Sequence, residues 1–220
     1  LADAEVSAAD GVPLHGAQLW IALPDADRHG DPGLSHFAPD WVDGAGWRAR
    51  VFLGETLGAA SPVATATELL GAELAVAPGA RLTVPVRDDF EYGVLTDVGT
   101  LTVQGHEVSA GALLAVPPGA ERIELTAGAA GARCLLLGGR PLGEDVLMWW
   151  NFVGREHDEI VAFRDQWQAQ ILQPSGQPVT SGQQVRPGIF GVVQGQELAP
   201  LPAPRLPEAT LKPRRSQPWA

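Results

Sequence analysis

Between Phe90 and Gly139 the chain repeats one rhythm. Short apolar-rich runs, FEYGVL, TLTVQG, HEVSAG, ALLAVPPG, ERIELTAG and ARCLLLGG, are separated by Gly or Pro-Gly turn signals. Alternation over so few residues predicts half-buried strands, and strands at this spacing predict an antiparallel sandwich or barrel. WRARVFLG (47–54), SPVAT and LLGAELAVAPG (69–79) extend the pattern upstream, the last ending in Pro-Gly. Residues 14–23, LHGAQLWIAL, alternate well enough for a strand with Leu19, Ile21 and Leu23 on one face. The PDADRHGDPG that follows is dense in Pro, Asp and Gly and reads as a linker or long loop.

The period changes once. In GREHDEIVAFRDQWQAQI, Ile160, Phe163, Trp167 and Ile171 fall at helical spacing. Glu156, Asp158 and Glu159 crowd the first turn, where the helix dipole favours negative charge. The spacing predicts one amphipathic helix over 156–170, packing its Phe and Trp against the barrel. Beyond Gln173 the chain is rich in Pro, Gln and Gly; RPGIFGVV is a candidate returning strand, and the last twenty residues are expected to be an irregular, solvated tail carrying KPRR.

Composition narrows the function classes. At 220 residues, 45% apolar with 26 Gly and 19 Pro, the chain can build a core with frequent turns. A formal charge of -11 and a pI near 4.8 exclude general binding to nucleic acid or to an anionic membrane surface. No apolar run approaches the roughly 18–20 residues of a membrane span, and no basic-then-apolar leader opens the chain, so a cytoplasmic protein is expected. Cys134 is the only cysteine, which excludes an intrachain disulfide and a Cys-based zinc site; within ARCLLLGG it reads as a small buried hydrophobe. His15, His29, His36, His106 and His157 form no His-x-His or i,i+4 pair, so surface or capping roles are expected, with His15 at a core edge. GxSxG, P-loop and GxGxxG motifs are absent. The Trp149–Trp150 pair either lines a pocket or joins the core, and the second reading is preferred.

Two turns carry a recognisable spacing. In GARLTVPVR, Gly79 is followed after five residues by Pro85-x-Arg87; in GALLAVPPGAER, Gly111 is followed after five residues by Pro117-x-Gly119 and then Arg122. These resemble the two motifs of a cupin barrel, whose metal ligands are a His-x-His in the first motif and a histidine in the second. Pro85, Arg87 and Arg122 stand in those three slots. Proline has no side-chain donor atom and arginine stays protonated, so none can ligate a metal. The expected fold is all-β: a cupin-type antiparallel barrel (double-stranded β-helix, or jelly roll) with one C-terminal amphipathic helix.

LHGAQLWIALP, then GGRPLGEDVLMWWNFVG and a helix beginning near HDEI, closely resemble the pirin family. Asp145 departs from it, since many members have proline there. The resemblance implies a bicupin whose N-terminal barrel holds iron, or another divalent transition metal, through a His-x-His pair, a later histidine and a glutamate, while the second barrel has lost its ligands. Glu5 falls at the place of the ligand glutamate and Asp3 at that of the preceding histidine. The chain, which opens LADAEV, then reads as the C-terminal portion of a pirin-like protein or a truncated member. Residues 1–24 are the remnant of the N-terminal cupin with its closing strand, 25–46 a linker, 47–172 the C-terminal cupin with its helix, and 173–220 an extension. No cofactor is expected in this chain itself.

Three functions stay open on this reading. The barrel is a structural half that supports an N-terminal cupin of its parent; it is a metal-free module that contacts a regulatory protein partner; or it is part of a quercetinase-type dioxygenase whose active site lies in the N-terminal cupin. In the last case the metal would ligate flavonol oxygens and place them beside dioxygen, with the carboxylate ligand as base.

Overall fold

The computed structural model describes residues 15–31, 33–173, 175–180, 185, 187–192 and 198–216. Asp3, Glu5, Leu14 and Trp219 lie outside the described residues. The chain divides into two compact units, one of residues 23–142 and another built from 143–216 together with 15–22.

The larger unit is an antiparallel roll. Its strands are β1 (Val42–Gly44), β2 (Trp47–Leu53), β3 (Glu55–Thr56), β4 (Ala59–Ala60), β5 (Leu69–Val76), β6 (Arg81–Pro85), β7 (Glu91–Val103), β8 (His106–Ser109), β9 (Leu113–Val116) and β10 (Arg122–Gly139). The main sheet runs β1-β2-β5-β10-β7-β8, with β6 added to β10 and β9 to β7. Strands β7 and β10 are long enough to serve two neighbourhoods. The first part of β10 pairs β6, its second part pairs β5, and β7 lies along both parts. Gly128–Gly131 are extruded between the paired positions Ala127 and Ala132, a bulge that bends the strand where the sheet folds over. The β7–β8 connection is the two-residue turn Gln104-Gly105 with φ of 49° and 83°, the primed geometry whose twist matches the flanking strands.

Period-two alternation places Leu82 and Val84 of β6, Val94, Leu101 and Val103 of β7, and Ile123, Leu125, Cys134 and Leu136 of β10 in one core with Leu74 and Val51. The opposite face carries charge. Arg50 pairs with Glu73 at 2.6 Å, Arg133 with Asp97 at 2.6 Å, and the guanidinium carbons of Arg48 and Arg50 lie 4.5 and 4.7 Å from the ring centre of Trp41. Asp97 is the extra residue at the β7 bulge, between the pairs Arg133–Val98 and Cys134–Thr96.

The smaller unit holds a hairpin, β11 (Leu147–Trp149) and β12 (Phe152–Gly154), followed by the helix α1 (His157–Gln170). Asp158 and Glu159 occupy its first turn, and Glu159 Oε2 accepts from the Arg155 N–H at 2.6 Å. Ile160 is fully buried, and Phe163 and Trp167 lie along the same helix, partly buried. They pack in a second cluster with Leu147, Phe152, Phe190, Ala203, Leu206 and Leu211. Within this unit, chain from beyond residue 173 supplies much of the apolar cover of these rings.

Two further expectations differ from what the chain does. Residues 15–23 form no strand, and Leu19, Trp20, Ile21 and Leu23 are exposed. Alternation marks a strand-competent segment, whereas a strand also requires an edge to pair with. Residues 187–192 of the candidate returning strand likewise form no strand, although Phe190 is drawn into the second cluster.

Candidate functional site

Pro85 and Arg122, two of the three residues at the motif positions, are brought together, with Arg87 two residues beyond Pro85. Pro85 ends β6 and Arg122 begins β10, and the two are direct cross-strand partners. Burial along β6 reads exposed, buried, exposed, buried, exposed from Arg81 to Pro85, and β10 opens with Arg122 exposed and Ile123 buried. The pleat therefore turns Pro85 and Arg122 outward while Val84 and Ile123 fill the interior.

Arg87 lies just past β6, in an ionic cluster that distant segments assemble. Its guanidinium donates to Glu68 Oε1 at 2.6 Å and to both Asp89 oxygens at 2.9 Å. Arg140 completes the ring, donating to Glu68 Oε2 at 2.5 Å and lying 3.0 Å from Asp89. The Arg140 and Arg87 guanidinium groups hold the Glu68 carboxyl below its usual range, and Arg87 does the same to Asp89. Both carboxylates in turn hold Arg87 protonated more firmly than usual. The Arg87 guanidinium also stacks 4.6 Å over Phe90, and the buried Tyr92 hydroxyl accepts from the Arg87 N–H and donates to the Arg87 carbonyl, at 2.8 and 3.0 Å. Arg122 pairs with Glu124 at 3.1 Å on the exposed face. Sequence reasoning found Arg87 and Arg122 through motif spacing but missed Glu68, Asp89 and Arg140 as partners. Glu68 and Arg140 are 72 positions apart, and no local signal joins them.

A transition metal needs imidazole, thiolate or carboxylate donors converging on one point. The interior of the roll is built mainly from Leu, Val, Ile and Ala side chains, with Phe90 and Tyr92. Thr96 Oγ1 is buried there without a hydrogen-bond partner and faces Cys134 across the β7–β10 ladder. Burial pushes the Cys134 thiol up to about 12, which keeps it neutral. Among the described residues no group of three His, Cys, Asp or Glu side chains could hold a metal ion. The slots and interior of this roll do not fit the iron that the cupin resemblance implies, and no chemical step is derived through it. His15, His29, His36 and His106 are exposed, so His15 is not at a core edge; His157 is partly buried, its Nδ1 accepting from the Leu211 N–H at 3.2 Å. Trp149 ends β11 and Trp150 stands in the hairpin turn, with ring centres 6.4 and 5.2 Å from that of Phe152, and both pack in the second core cluster.

Cys134 supplies a prediction. In the folded protein it is expected to resist thiol reagents at neutral pH and to react once denatured, as read by Ellman titration. Its ionisation is raised from 9.0 to about 12, so the folded state keeps a proton that the unfolded state loses in that window. Stability is therefore unaffected by this group below pH 9 and falls above it by up to about 1.4 kcal/mol per pH unit. Denaturant midpoints from pH 8 upward should show a steeper alkaline decline for the native chain than for Cys134→Ala. Equal slopes would show that the thiol does not carry the effect.

The long twin strands, the two-faced roll and the turn spacing define a cupin-type jelly roll with a C-terminal helix. Residues 71–173 match the family model of the pirin C-terminal cupin domain. A crystal structure of a quercetin 2,3-dioxygenase from Acinetobacter baumannii superimposes with a TM-score of 0.72 at 33% identity, over 90% of this chain and 60% of that one. A Pseudomonas aeruginosa protein provisionally named a quercetin 2,3-dioxygenase is 36% identical over 170 residues, 76% of this chain and 53% of its own length. A pirin-like protein of Caulobacter vibrioides is 28% identical over 72% of this chain and 55% of its own length. The chain belongs to the pirin family, and it spans about half the length of the curated relatives it matches.

Proposed function

We propose that this chain is the ligand-free cupin half of a pirin-type protein, acting through structure and protein contact rather than through a metal of its own. The observation that carries this reading is the placement of the slots. Pro85 and Arg122 face outward from a core of Leu82, Val84, Ile123 and Leu125, and Arg87 is tied into the cluster with Glu68, Asp89 and Arg140. Its partners on this reading are the N-terminal cupin of the parent protein and a regulatory protein of basic or neutral surface; nucleic acid and membrane are not among them, in keeping with a charge of -11. The compartment is the cytoplasm. That no described helix is long and apolar enough to cross a membrane is compatible with this placement.

A second reading is favoured by the likeness to the Acinetobacter baumannii quercetin 2,3-dioxygenase. Here the chain is the scaffold half of a metal-dependent dioxygenase whose active site, iron included, belongs to an N-terminal cupin. Glu5 is then the candidate ligand contributed from this sequence.

Elemental analysis of protein purified without a metal-binding tag tests the first reading. The expected result is less than ~0.1 iron or other transition-metal ion per chain, with no flavonol turnover by the chain alone. Close to one ion per chain would overturn it and direct attention to Glu5. Turnover that appears only when a relative's N-terminal cupin is added would support the second.

A further inference from the structure

Residues 198–216 contain no helix and, among the described residues, form one isolated backbone bridge, Arg214 with Val146, yet they are held along their length. Trp167 Nε1 donates to the Leu201 carbonyl at 2.9 Å, and Arg164 Nε donates to the Pro204 carbonyl at 2.7 Å. Gln168 Oε1 accepts from the Ala203 N–H at 2.8 Å, His157 Nδ1 from that of Leu211 at 3.2 Å, and Asp145 Oδ1 from that of Ser216 at 3.1 Å. In each case a side chain of α1, or of the segment before β11, reads the main chain of the strap. Ala203 is 6% exposed, and Leu206 and Leu211 pack with Trp167 and Phe190, whereas Leu198 and Leu201 point outward at 58% and 72%.

The strap itself reads LAPLPAPRLPEATLKPRRS, with prolines at 200, 202, 204, 207 and 213. Each fixes its own φ and biases the preceding residue toward extended backbone, so little chain entropy remains to be lost on docking. A surface with a tryptophan N–H aimed at a carbonyl of such a segment is the physical arrangement by which proline-rich peptides are recognised elsewhere. The matched family domain stops at residue 173, so the strap lies beyond it.

We propose that the α1 face bearing Arg164, Trp167 and Gln168 is a recognition site for proline-spaced extended peptides, and that residues 198–216 occupy it in cis. The tethered strap competes at an effective concentration on the order of millimolar, so a partner segment gains access when the strap is released or outcompeted. The proposal does not depend on whether a metal is bound anywhere in the parent protein.

The test uses the full chain carrying Ala203→Asp and Leu206→Asp, which weakens the strap and leaves the helix side chains in place. The probe is a fluorescein-labelled peptide with the sequence of residues 198–216. Saturable binding to this variant, at least ~10-fold tighter than to the native chain and lost with a peptide whose prolines are alanines, is the expected result. No saturable binding to a variant with native circular dichroism would overturn the proposal. Should the variant not fold, hydrogen exchange on the native chain decides. Amides of Ala203 and Leu211 exchanging through a local opening, at least ~100-fold faster than those of Ile160 and Phe163, would support an exchangeable strap. Exchange of all four in one cooperative step would overturn it.

Discussion

Replacing Gly99 by alanine is expected to lower the melting temperature by roughly 6–12 °C, corresponding to about 3 kcal/mol. Gly99 has φ of +81° and pairs with Ala132 beside the β10 bulge. A Cβ built there would lie 2.1 Å from the Gly131 carbonyl oxygen and 3.1 Å from the Ala132 Cα. Both obstacles are backbone, so no rotamer change can relieve them, and the two longest strands would have to separate where they turn together. The left-handed conformation adds its own strain of about 1 kcal/mol. Gly105 provides the control, since its φ is +83° but no atom lies within 4 Å of the Cβ position. Gly105→Ala should therefore pay the conformational term alone, a shift of roughly 2–4 °C. A Gly99→Ala protein that melts with Gly105→Ala would show that the close approach at Gly131 does not constrain the bend.

The second large effect belongs to Phe152. Its ring lies at the centre of the smaller unit's cluster, with ring centres at 5.2 Å to Trp150, 5.6 Å to Phe190, and 6.4 Å to Trp149 and Phe163. Phe152→Ala removes a 5% exposed side chain and the shared face of four aromatic contacts, a cost of about 4 kcal/mol. Hydrogen-exchange protection of the α1 amides Ile160 to Phe163 should fall by roughly 100- to 1000-fold. Phe152→Leu, which keeps most of the buried volume, should recover about half of that loss in free energy. Unchanged protection in the alanine variant would mean that α1 is held by contacts other than this cluster.

The strand rhythm was readable because turn residues and alternation are local properties. LLGAELAV is β5 and HEVS is β8. Local signals also misled in a consistent way. ERIELTAG and ARCLLLGG read as separate runs around a Gly-rich turn, but they form the single strand β10, with Gly128–Gly131 taken up as a bulge. FEYGVL and TLTVQG merge into β7 in the same manner. A glycine permits a turn without requiring one, and the ladder across β10 and β7 keeps the chain extended on both sides. The helix shows the complementary case: its span, predicted at 156–170 and found at His157–Gln170, follows from the period, whereas the partner of its aromatic stripe does not.

Resemblance of two turn motifs pointed to the cupin type; the amino-acid pattern alone indicated a β-rich roll, a terminal helix, and side chains at Pro85, Arg87 and Arg122 that lack a metal-donor atom. Those conclusions rest on side-chain chemistry and on periodicities of a few residues, which a chain carries wherever it folds. Tertiary structure decided the rest. It turned Pro85 and Arg122 outward as neighbours, joined Arg87 to Glu68, Asp89 and Arg140, kept residues 15–23 out of any strand, and laid the proline-spaced strap on α1. Each of these depends on segments tens of positions apart meeting in space, and such meetings are settled by the packing of the whole chain rather than by any window of it.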